Sequence, residues 1–256
     1  MSKTFSGRTM FARAALGIAA VVAAAATASA HFVWIETSAK NDGLHVRSGF
    51  GEAGGWDPDL VEKIKPTKYW TRIGGKLESL ALPLDATEKE YRAVVKGSSP
   101  SAVIGNCDYG VVQFGANPAS HLRYSAKSLV GAPAAWQDVA NKDLRVELIA
   151  SLDGDAVKLQ ALFLGKPLTD AKIKATNPDG NDVELKTDGE GIARWPLVGG
   201  GVYRCYMGKR TKEAGEVDGK KFEGLMDYTS LTFEIAGPKG EAPKSAATTE
   251  SKAEAK

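Results

Sequence analysis

The chain has 256 residues, with 33 lysines and arginines against 31 aspartates and glutamates, three histidines and two cysteines. That length allows two modest domains with cores of their own. A formal charge of only +2 excludes the strong basic balance of a chain built to hold nucleic acid.

The first thirty residues read as an export signal. Lys3, Arg8 and Arg13 precede an apolar run from Ala14 to Ala26, and Thr27 leads into Ala28-Ser29-Ala30, a small-residue cleavage site. The apolar run is short of the roughly 20 residues of a membrane span, and no later stretch is apolar enough for one. No cysteine follows the cleavage point to carry a lipid anchor. The expected product starts at His31 and is soluble in the periplasm or outside the cell. Loss of three cations and no acids takes its formal charge from +2 to −1.

From His31 onward, short apolar alternations closed by Gly, Pro, Asn or Asp predict a mainly β chain. In the first half, residues 31–131, strands are expected at Phe32–Thr37, Leu44–Ser48, Lys68–Ile73, Tyr91–Val95, Val103–Ile104, Tyr109–Phe114 and Leu122–Ser125. One short helix is expected, capped by Asp57, with Pro58 in its first turn, Leu60, Val61 and Ile64 on one face, and Pro66 ending it. Residues 132–142, with Pro133, read as a linker.

Residues 143–236 predict a second β-sandwich. Its strands are expected at Leu144–Leu152, Ala156–Leu164, Ala171–Thr176, Val183–Thr187, Gly191–Pro196, Gly201–Met207 and Leu225–Ile235, with Trp195 and Tyr203 as core anchors. Asn177-Pro178-Asp179-Gly180 supplies a tight turn, Pro fixing φ and Gly taking the left-handed position. The acids of Thr187-Asp188-Gly189-Glu190-Gly191 lack the full ligand series of a calcium loop, so the segment reads as a turn. The last twenty residues, 237–256, offer nothing to bury and read as a disordered tail.

Several segments occur in one order: Ala30-His31-Phe32-Val33-Trp34, Gly49-Phe50-Gly51-Glu52, Cys107-Asp108-Tyr109-Gly110-Val111 and Tyr124 to Lys127. Then follow Gly165-Lys166-Pro167-Leu168, Thr187-Asp188 with Gly191, Trp195-Pro196-Leu197, Gly201-Val202-Tyr203 and Tyr228 to Phe233. Together they resemble a bacterial secreted family carrying a domain of unknown function labelled as nickel- or cobalt-uptake associated. The resemblance spans nearly the whole mature chain. It implies an N-terminal β domain followed by a carboxypeptidase-regulatory-like, prealbumin-like or immunoglobulin-like sandwich. It also implies handling of a transition metal outside the membrane, beside a membrane transporter component.

His31 carries the chemistry independently of that resemblance. Cleavage before it leaves an α-amine beside an imidazole, a nitrogen pair that suits copper, nickel or zinc. A second imidazole would complete a histidine brace, and His121 and His45 are the other histidines in the chain. His121 is the first choice because a strand-edge position can face a neighbouring strand. The plainer alternative is that His31 merely follows the processing site and that the others are surface or hydrogen-bonded histidines.

A copper brace could also serve an oxidase, but Trp56, Trp70 and Trp136 read equally as core or linker residues. A binding protein therefore ranks above an enzyme. A non-catalytic cell-surface or carbohydrate-binding module remains the alternative, as does a receptor-like subunit docked on a transporter.

Cys107 and Cys205 are the only cysteines, and in an oxidising compartment such a pair is more often a disulfide than a metal site. Both uses stay open on sequence alone. Gly49-Phe50-Gly51-Glu52-Ala53-Gly54 formally matches a dinucleotide fingerprint, but Glu52 puts a negative charge where pyrophosphate would sit and no βαβ unit follows. Glu52 and Asp57 are solvated turn residues or oxygen ligands. The chain has neither Gly-x-Ser-x-Gly nor His-Glu-x-x-His, and the paired acids Glu88 and Glu90, or Asp153 and Asp155, sit in expected turns.

Overall fold

The computed structural model describes residues 31–136 and 140–237. The expected signal, residues 1–30, and the expected tail beyond Gly237 lie outside the described residues. The chain is mainly β, as its alternation predicts. In order, the first half carries β1 (Phe32–Lys40), β2 (Gly43–Glu52), β3 (Gly55–Trp56), β4 (Lys68–Ile73), β5 (Lys76–Leu80), β6 (Leu84–Asp85), β7 (Glu90–Val95), β8 (Ala102–Val112) and β9 (Ser120–Leu129). The second half carries β10 (Val146–Asp153), β11 (Ala156–Phe163), β12 (Lys166–Pro167), β13 (Lys172–Thr176), β14 (Asp182–Lys186), β15 (Ile192–Pro196), β16 (Gly201–Thr211), β17 (Gly215–Val217), β18 (Lys220–Phe222) and β19 (Gly224–Ile235).

Eight of these strands form one sheet in the order β14-β13-β16-β19-β9-β8-β4-β5. A second sheet, β1-β2-β7-β6 with β3 on β2, and a third, β10-β11-β12 with β15 on β11, complete the body. The period-2 alternation of the central sheet assigns each outer sheet its own face. On β9, Leu122, Tyr124 and Ala126 enter the core shared with β1 and β2, whereas Leu129 enters the core shared with β10 and β11. β8 divides the same way, with Val103 and Cys107 on the first face and Ala102 and Ile104 on the second. The molecule is thus two β-sandwiches that share their middle sheet.

The join is the parallel pairing of β9 with β19, running from Ser120 opposite Gly224 to Ser128 opposite Thr232. The two halves are therefore continuous through one hydrogen-bonded sheet, and the boundary expected at residues 132–142 does not separate them in space. Trp136, inside that expected linker, is buried against Phe233 with ring centroids 4.9 Å apart, and its Nε1 donates to the Gly131 carbonyl. Lys127 on β9 meets Glu147 on β10 at 2.9 Å, with both side chains 2% exposed. A buried ion pair holds such a contact in one geometry because either charge left alone is strongly disfavoured.

Trp195 and Tyr203 are the core anchors the sequence predicts. Both are fully buried, edge to face at 5.1 Å. Each polar tip is satisfied: Trp195 Nε1 donates to Asn177 Oδ1 at 2.9 Å, and the Tyr203 hydroxyl donates to the Gly199 carbonyl at 2.8 Å. Asn177–Gly180 is a turn closed by Gly180 N–H on the Asn177 carbonyl, with Gly180 at φ 85°.

Two expectations change. The helix expected from Asp57 to Ile64 is a single 3₁₀ turn, Val61–Ile64, with no side-chain cap. Without a cap to hold a longer α-helix, the segment keeps one turn, and the tighter 3₁₀ geometry is the one used in such short pieces. The separate strands expected at 103–104 and 109–114 are one strand, β8, with a bulge between Asp108 and Gly110. The bulge absorbs the break in alternation that splits the segment in the sequence.

Candidate metal centre

His31 lies one residue before β1, and the residue after it fixes its place. The Phe32 ring sits 4.0 Å from that of Tyr206 and 5.4 Å from that of Tyr228, so the start of β1 is held on an aromatic cluster. The His31 ring lies 5.6 Å from Phe50, which in turn lies 5.6 Å from both Tyr109 and Tyr124.

The polar neighbour of His31 arrives through the glycine-rich segment. β2 reverses tightly into β3, and Trp56 crosses over Gly49. A Cβ on Gly49 would lie 2.2 Å from the Trp56 ring, and one on Gly51 would lie 2.2 Å from the Gly55 carbonyl oxygen. These glycines serve close chain approach. Beyond the crossing, Asp57 N–H donates to the Phe50 carbonyl at 2.8 Å. Asp57 Oδ1 accepts Asp59 N–H at 3.0 Å, while Oδ2 faces His31 Nε2 at 3.5 Å. Of the two acids the sequence offers as oxygen ligands, Asp57 is at the histidine and Glu52 stays exposed at the end of β2.

This arrangement fits a chelating N-terminus. A metal held by the α-amine and imidazole of one residue uses Nδ1. A carboxylate on Nε2 then fixes the tautomer and makes the ring a better donor, as carboxylates commonly do behind metal-bound histidines.

The other two histidines do not complete a brace. His45 lies on β2 opposite Ser38, six residues from Gly51, which pairs with the residue after His31; along a strand that is about 20 Å. Its Nε2 is 2.8 Å from Asp42 Oδ1, a contact that holds the Asp42 carboxyl below its ordinary range. His121 belongs to a central strand and is 5% exposed. It has the opposite parity to Leu122 and Tyr124, so it points to the face of the central sheet away from β1. There its Nε2 meets Asp108 Oδ1 at 2.6 Å, and its ring lies 5.3 Å from Phe222. Among the described residues no three His, Cys, Asp or Glu side chains gather into a group that could hold a metal.

The expected disulfide is also corrected. Cys107 and Cys205 are both free and buried. Cys107 pairs with Tyr124, Tyr124 with Tyr228 and Tyr228 with Gly208, so the two cysteines are three strands and three residues apart. That is about 17 Å between Cα atoms, against the roughly 4.4–6.8 Å of a disulfide. The odd offset puts them on opposite faces, Cys107 in the core under β1 and Cys205 in the core under β10. Desolvation pushes the Cys107 thiol up to about 11 and the Cys205 thiol higher still, the reverse of what a thiolate ligand needs.

The loop 187–191 is a self-contained turn. Asp188 Oδ1 accepts the N–H groups of Glu190 and Ile192, both at 2.9 Å, and these bonds hold its carboxyl below the ordinary range. Sequence reading does not find the charged network between the halves, in which Asp227 takes Arg123 Nε at 2.8 Å and Arg145 Nε at 3.2 Å. Its members come from β9, β19 and the bend just before β10, far apart in the chain and with no shared motif.

No family model matches the chain, and no curated protein does. Among solved structures it is similar to one concerned with host cell surface retention of a 1.5-MDa bacterial ice-binding adhesin, at 9% identity. That match covers 81% of this chain and 66% of the adhesin chain, just under two thirds of it, with a TM-score of 0.20. A likeness at that level carries neither fold nor function across. Among the described residues no helix is long and apolar enough to cross a membrane.

Proposed function

We propose that the chain is exported, loses residues 1–30, and binds one transition-metal ion at the new N-terminus as a protein that handles nickel, cobalt or copper outside the cytoplasmic membrane. The observation that supports this most is the Asp57 carboxylate, 3.5 Å from Nε2 of His31. It meets the ring nitrogen that an amine–Nδ1 chelate does not use. A soft thiolate site is disfavoured by the burial of both cysteines, so the donors are nitrogen with oxygen in support, a set that suits copper(II) or nickel(II). The resemblance to secreted nickel- or cobalt-uptake proteins points the same way and adds a transporter component as the partner.

The test is a calorimetric titration of protein beginning at His31 with copper(II), nickel(II) and cobalt(II), beside protein carrying one alanine ahead of His31. The expected result is one-to-one binding by the first form that the added residue weakens at least a hundredfold. Equal binding by the two forms would refute the chelating N-terminus and leave a non-catalytic β module as the better account.

A further inference from the structure

The register of β1 on β2 places an acid across from His31. Phe32 pairs with Gly51 and Val33 with Phe50, so the next step of the ladder sets His31 opposite Glu52. β2 is still an ordered strand at that point, because Gly51 and Glu52 pair with Trp56 and Gly55 of β3. Directly opposite residues of an antiparallel pair project to one face, with Cβ atoms about 5 Å apart. His31 and Glu52 therefore share the face of Val33 and Phe50, two residues along each strand. The contact between the His31 and Phe50 rings, 5.6 Å between centroids, fits that placement.

The two acids near His31 meet different ends of it. Asp57 Oδ2 is at Nε2, the far tip of the ring, and Oδ1 of the same carboxylate holds the Asp59 N–H. Glu52 stands at the backbone end, where Nδ1 lies and where cleavage would leave the α-amine. A gap of about 5 Å between Cβ atoms is one that a single ion closes with bonds of about 2 Å to each side chain. The chain around it is clear: Glu52 is exposed, and a Cβ on Gly55 would meet no atom within 4 Å.

We infer that Glu52 is the third protein ligand of the ion at the N-terminus, giving one carboxylate oxygen beside the α-amine and Nδ1 of His31. The inference rests on the chelating N-terminus proposed above and adds the donor that sets its charge. Amine and neutral imidazole bring no charge, so a divalent ion has its two charges met by Glu52 bonded to it and by Asp57 behind the ring. Only two side chains bond the ion, which is why no group of three acid, histidine or cysteine side chains marks the place among the described residues. Three protein donors on an exposed strand end leave coordination positions to water, and the ion stays exchangeable.

The experiment is calorimetry and continuous-wave electron paramagnetic resonance with copper(II) on protein beginning at His31, as the parent, Glu52→Gln and Glu62→Gln. Glu62, an exposed acid in the 3₁₀ turn, is the control for charge alone. Glu52→Gln should lose at least tenfold in affinity and shift the g values, with nitrogen coupling kept and circular dichroism that of the parent. Glu62→Gln should change affinity less than twofold and leave the spectrum as it was. Parent affinity and spectrum in Glu52→Gln, or an equal loss from Glu62→Gln, would overturn the inference. Failure of the chelate itself shows elsewhere, as equal binding by protein with an alanine ahead of His31; an affinity that the alanine lowers and Glu52→Gln does not would refute Glu52 alone.

Discussion

Exposure of the folded protein to an oxidant and to a thiol reagent should leave both cysteines untouched while the fold stands. Cys107 and Cys205 are separated by three interstrand steps and three residues, about 17 Å, and they face opposite cores. Linking them would require pulling the central sheet apart. Their chemistry is suppressed as well. Moving the Cys107 thiol from its ordinary 9.0 to about 11 lowers the thiolate share at neutral pH about 100-fold, before any steric protection. Folding therefore favours the protonated thiol. Its contribution is fully present below pH 9 and is lost as pH rises toward 11, at about 1.4 kcal/mol per unit. The assay is thiol titration at pH 8 with and without denaturant, together with intact mass without reductant. Both thiols should react only in denaturant, and the mass should be that of the dithiol. A native species lighter by two hydrogens, with no titratable thiol in denaturant, would refute the reasoning and the register behind it.

Other consequences follow from single contacts. Gly49→Ala puts a Cβ 2.2 Å from the Trp56 ring and should lower stability by ~1–3 kcal/mol in urea melts, with less than half that cost in a Trp56→Ala background. An equal cost in both backgrounds would show that the crossing is not the cause. Lys127→Met leaves the Glu147 carboxylate buried without its cation and should cost ~3–5 kcal/mol; Lys127→Met with Glu147→Leu should recover part of that loss. A single variant as stable as the parent would contradict a buried pair. Asp57→Asn removes the charge behind His31 Nε2 and should weaken copper(II) binding ~10–100-fold without moving the melting midpoint. Unchanged affinity would remove Asp57 from the site.

Local patterns in this chain were readable because each rests on neighbouring residues. The alternation of Leu225–Ile235 and Gly201–Met207 survives as β19 and β16, and Trp195 and Tyr203 are buried where the pattern places them. What was not readable depends on partners distant in the chain. Nothing near Ser120 or Gly224 announces that β9 and β19 pair in parallel, yet that pairing turns two expected domains into two sandwiches on one sheet. It also decides the cysteines, since compartment argues for a disulfide and only register shows which faces they occupy. His121 failed as a brace partner for the same reason: one residue of parity moves a side chain through the sheet. At the candidate site, the Gly49–Gly51 segment and Asp57 were visible as oddities of composition. The chain crossing they form, which brings a carboxylate beside His31, depends on both turns at once.

Pulsed electron paramagnetic resonance of the mature protein carrying one copper(II) tests the central proposal most directly. The expected result is nitrogen coupling from a single bound imidazole that disappears when an alanine precedes His31. Imidazole coupling that is absent from the mature protein, or identical in both forms, would contradict it.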